Sequence, residues 1–127
     1  MKRIFLTILL SLFAATAATA HPSDDLSLML DQTKKVQRLS VTFIQVTEDS
    51  RCPMNARCVW AGNAKVRVKL SVPRRGTKTV ELNSGMNPQS IDFAGYRVTF
   101  SNLTEKPSGM HRMVVYRPIL TVTVAKI

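Results

Sequence analysis

Cys52 and Cys58 are the only cysteines of the chain, and five residues stand between them. In an oxidising compartment two thiols this close pair, closing a loop whose chain-entropy contribution is roughly 2–2.5 kcal/mol. The spacing is not the C-x-x-C of a redox centre, and no second Cys/His pair stands at zinc-ligand spacing. The acids show no spacing that joins a nucleophile to a base. Glu48 and Asp49 stand just before Ser50, but acids at a strand end beside an arginine usually form ion pairs. No catalytic residues are expected, and the chain reads as something other than an enzyme.

The elements that must position this segment begin after an address. Lys2 and Arg3 form a positive start, Ile4 to Ala15 an apolar run, and Ala18-Thr19-Ala20 a small-residue cleavage site. Residues 1–20 therefore read as a cleaved secretory signal, and 21–127 as one β-rich domain, exported to the periplasm or beyond. The apolar run is short of the roughly 20 residues that cross a bilayer, and no stop-transfer flank follows. Loss of Lys2 and Arg3 takes the net charge from +10 to +8. Such an excess favours an anionic envelope component or an acidic exported protein as partner. The basic residues are spread along the chain, as on solvated strand faces, and no specific nucleic-acid motif accompanies them.

Period two dominates the remainder. Ala64, Val66, Val68, Leu70 and Val72 alternate with Lys65, Arg67, Lys69 and Ser71, which places one face of a strand in a core and a basic row in solvent. Val41, Phe43 and Val46 alternate less cleanly, and Ile44 falls out of phase as at a bulge. Tyr96, Val98 and Phe100, and then Leu120, Val122 and Val124, give two more half-buried strands. Shorter runs at Val80–Leu82 and Ile91–Phe93 are bounded by turn formers such as Pro73-Arg74-Arg75-Gly76, Asn83-Ser84-Gly85 and Ala94-Gly95. Within residues 26–36, Leu26, Leu28 and Leu30 alternate and a turn-like Asp31-Gln32-Thr33 ends the run, which reads as strand rather than helix, and 104–117, with Pro107 and Gly109, reads as a long connection. Short strands at this spacing predict an all-β domain, an antiparallel sandwich or barrel of about seven strands, immunoglobulin-like in general architecture.

Within the cysteine segment Pro53 stiffens the start of the loop. Asp49 and Arg51 can reach each other or backbone groups as the strand ends. Trp60 is expected in the core beneath the loop, and Gly62 at the turn that opens the best strand. The segment D-S-R-C-P, five residues from Cys52 to Cys58, then V-W-A-G-N-A, resembles a group of small exported bacterial proteins of uncharacterised function. That resemblance implies a secreted or periplasmic β-rich domain and brings no catalytic residues with it.

A disulfide-tied loop is ordered before it meets a partner, so the leading expectation is a binding domain that offers Arg51, Met54, Asn55 and Arg57 to a ligand, one form being inhibition of an exported hydrolase. The alternative is copper. Processing after Ala20 would give His21 a free α-amine beside its imidazole, and Gly109-Met110-His111-Arg112-Met113 adds an imidazole and two thioethers. His21-Pro22 is thereby faintly similar to exported β-sandwich copper carriers. No second histidine stands near His111, and the cysteine segment is foreign to that family.

Overall fold

The computed structural model describes residues 22–53, 57–104 and 116–127, so the expected signal segment lies outside the described residues. Their regular structure is eight strands: β1 (Ser23–Met29), β2 (Thr33–Val36), β3 (Leu39–Asp49), β4 (Ala64–Val72), β5 (Gly76–Asn83), β6 (Ser90–Phe93), β7 (Tyr96–Leu103) and β8 (Ile119–Lys126). The eighth strand arises because the run over 26–36 is two strands. Asp31, at a left-handed φ of 62°, breaks it, and the Asp31 N–H then donates to the Phe43 carbonyl at 2.7 Å.

Two antiparallel sheets result, ordered β1-β8-β7-β6 and β2-β3-β4-β5. No ladder joins β1 to β2 or β5 to β6, so the sheets face one another as a sandwich and do not close into a barrel. This facing of two sheets is shared with immunoglobulin domains. The connectivity, however, is a simple meander in which every strand except β1 pairs with a sequence neighbour, while β1 pairs with β8.

Alternation explains the core. Val66, Val68 and Leu70 of β4 are fully buried between Lys65, Arg67 and Lys69, which stay at or near the surface. Val41 and Phe43 of β3 meet Leu28, Val98, Leu120 and Val122 of the other sheet in one continuous cluster. Each such side chain contributes roughly 1.5–3 kcal/mol by leaving water. Ile44 is the out-of-phase residue of β3, and the register with β4 shifts there, between Phe43 and Gln45, with a second shift between Val46 and Glu48. The two extra residues let β3 bend and carry Asp49 to the rim, next to Ala64 at the start of β4.

The meander gives the sandwich two distinct ends. One carries the cysteine segment between β3 and β4, the ends of β5 and β7, and the start of β8. The other carries the tight loops β2–β3, β4–β5 and β6–β7 and the end of β8.

Candidate functional site

Asp49 is the last residue of β3, and two residues later Arg51 folds back on it. Arg51 Nε donates to Asp49 Oδ1 at 2.8 Å and Nη2 to Oδ2 at 2.9 Å, a bidentate pair whose side chains are only 19% and 10% exposed. The other edge of the guanidinium reaches the opposite sheet. Nη1 donates to the Leu103 carbonyl at 2.8 Å, and Nη2 to the Thr104 carbonyl at 2.9 Å and the Tyr116 hydroxyl at 3.2 Å. Tyr116 itself donates to the same Thr104 carbonyl at 2.7 Å. One planar fork thus caps the end of β7 and ties it to the end of β3, a task for which the fixed donor geometry of arginine is suited. Arg51 is held above its ordinary pKa, first by the hydrogen bonds to Asp49 and against the opposing effect of burial. A cation with a raised pKa contributes its stability fully below the unfolded value and loses it only as pH rises through the arginine range, so deprotonation of Arg51 does not open this contact near neutral pH.

Ser50, between them, closes a second clamp. Its N–H donates to the Asn63 carbonyl at 2.8 Å, and its Oγ accepts from the Asn63 N–H at 2.9 Å. For Asn63 to approach so closely, Gly62 adopts a φ of 69°. A Cβ at Gly62 would collide with the Ser50 carbonyl and lie 2.8 Å from the Arg51 Cα. Asn63 is buried, and its side chain spends its capacity inside the fold: Nδ2 donates to Asn83 Oδ1 and Oδ1 accepts from the Gly85 N–H, both at 2.9 Å. Ser84 Oγ accepts from the Ala64 N–H at 2.8 Å. The turn residues after β5 are therefore the far wall of the cysteine segment, a role their sequence announced only as a turn.

Between the two clamps, Cys52 and Cys58 form a disulfide across a Cα–Cα distance of 5.8 Å. Beyond it the chain turns outward. Val59 is 96% and Trp60 63% exposed, and Arg57 is exposed beside them. This corrects the expectation that Trp60 lies in the core. β4 begins only at Ala64, so Trp60 precedes the first core position, and the space under the segment is already filled by the Asn63 and Arg51 networks. Arg51, expected to face a partner, is turned inward. Asp49 and Gly62 have structural roles, and Pro53 is half-buried.

Met54 and Asn55 lie outside the described residues, as do His21 and His111 with Met110 and Met113. Among the described residues no three His, Cys, Asp or Glu side chains gather where a metal ion could be held. Of the two acids beside Ser50, Glu48 pairs with Lys65 at 3.6 Å and Asp49 with Arg51. No helix among the described residues is long and apolar enough to cross a membrane. No family model matches the chain, and no curated protein or solved structure matches it.

Gly62→Ala should cost at least about 3 kcal/mol in chemical denaturation, adding a backbone collision to left-handed strain. Gly76→Ala, at a φ of 92° with open space around it, should cost only about 1–2 kcal/mol. Native Trp60 emission should sit close to that of free tryptophan and move little on unfolding.

Proposed function

We propose that this protein is an exported, non-catalytic binding domain, and that the disulfide-tied segment with Arg57, Val59 and Trp60 is what engages its partner. The observation that carries the reading is an exposed Val59-Trp60 pair on a segment fastened at both ends. The Asp49–Arg51 fork and the disulfide hold one side, and the Ser50–Asn63 clamp holds the other. A tryptophan left in water on ordered backbone loses little further entropy on binding, and tryptophan is among the residues that dominate interface energies. The disulfide is in keeping with an oxidising, extracytoplasmic setting.

The partner we favour is another exported protein with an apolar pocket for Trp60 and an acidic rim for Arg57. The substrate cleft of an exported hydrolase has this form, and inhibition is then the simplest consequence of occupancy. The net positive charge of the chain would speed the encounter with such a rim.

The test is capture from envelope extract on immobilised protein, with Trp60→Ala as the control bait, followed by affinity measurement on whatever the parent retains. Because Trp60 is exposed, the variant should fold as the parent does. A protein held by the parent and released at least about thirtyfold faster or bound that much more weakly by Trp60→Ala is expected. Equal retention by both baits would contradict the proposal.

A further inference from the structure

The end of the sandwich opposite the disulfide carries a second feature. An open cavity of about 570 Å³ lies among the β2–β3, β4–β5 and β6–β7 loops and the end of β8, and Arg38, Arg74, Arg75 and Lys126 line it. No Asp or Glu side chain lines it. The ion pairs among the described residues use Arg51, Lys65, Arg67 and Arg97, so none of these four cations has a carboxylate partner there. Three separate chain segments bring like charges to one cavity, and together they give it a positive potential that favours an anion.

The frame is rigid. Of the seven left-handed residues among the described positions, Gln37, Arg74, Gly76, Ala94 and Gly95 all lie in these loops, as two- and three-residue hairpin connections require. Tyr96, buried at the cavity wall, accepts from the Arg38 N–H and donates to Gln37 Oε1, both at 3.4 Å, and so joins the loops of the two sheets. The Ile127 N–H donates to the Gly95 carbonyl at 2.9 Å and fastens the end of β8.

We propose that this cavity is a binding site for a phosphate ester, with Arg38, Arg74, Arg75 and Lys126 as its cationic wall. Three guanidinium groups match the oxygens of a phosphoryl group two at a time, and the volume accommodates a small organic body attached to it. The same chemistry is presented by a soluble phosphate ester and by a phospholipid head group. This site is independent of the one proposed for Trp60.

Calorimetric titration with inorganic pyrophosphate and with glycerol phosphate, and co-sedimentation with vesicles of phosphatidylglycerol in phosphatidylcholine, test it on the purified protein. Saturable binding of a soluble ester assigns a soluble ligand. Binding of the anionic vesicles alone assigns a head group. In either case Arg74→Asn/Arg75→Ser, and separately Lys126→Ser, should weaken binding at least about tenfold, the asparagine being chosen to tolerate the left-handed φ of 66° at that position. Lys35→Ser/Lys69→Ser removes two exposed charges from the strands of the second sheet and should weaken binding less than about threefold. No saturable binding to any probe, or equal losses in the two double variants, would overturn the proposal.

Discussion

The Arg51 guanidinium is the contact on which the cysteine end of the molecule depends. Five acceptors converge on it: both oxygens of Asp49, the backbone carbonyls of Leu103 and Thr104 where β7 ends, and the hydroxyl of Tyr116. Two of these lie at the end of one sheet and three at the rim of the other, so a single side chain closes the mouth of the sandwich where the hydrophobic core ends. The carbonyls of Leu103 and Thr104 would otherwise face a half-buried space with less than their full hydrogen bonding, which carries a cost of roughly 1–3 kcal/mol per group.

From this constraint the outward course of the disulfide segment follows. Asp49, Ser50 and Arg51 are engaged inward on one side, and Gly62, Asn63 and Ala64 on the other. The residues that make D-S-R-C-P and W-A-G-N-A so distinctive in the sequence are, for the most part, the fasteners of the segment. What remains for solvent is the short stretch that contains Arg57, Val59 and Trp60. Binding capacity there is a consequence of where the packing stops, and the rigidity of the fasteners is what would make exposed apolar surface useful.

The strands were legible because their periodicity is set by one buried face. β4 reads from Ala64 to Val72 as it folds, and Ile44 marks the bulge of β3 by falling out of phase. The break between β1 and β2 was legible in the turn-like Asp31-Gln32-Thr33, but the short, mostly exposed Thr33–Val36 that follows carries no alternation that would mark it as a strand of its own. Trp60 was misread for an instructive reason: hydrophobicity alone places a tryptophan inside, but its side chain lies ahead of the alternation that begins at Ala64. The basic cavity was not legible at all. Arg38, the Arg74-Arg75 pair and Lys126 come from three places in the chain, and only the meander brings them to one end.

Both ends of the sandwich are thus closed by a polar contact between the sheets, Tyr96 with the β2–β3 loop at one and Arg51 with the end of β7 at the other. The Arg51 contact is the stronger, since it is charged, bidentate and mostly buried. The most direct measurement is the unfolding free energy of Arg51→Lys beside that of Arg51→Ala. Lysine keeps the charge but cannot serve Asp49 and two carbonyls in one plane, so it should recover less than half of the loss, itself about 2–4 kcal/mol. An Arg51→Lys protein as stable as the parent would show that charge alone suffices there, and would contradict the account of the fork as the fastener of this end.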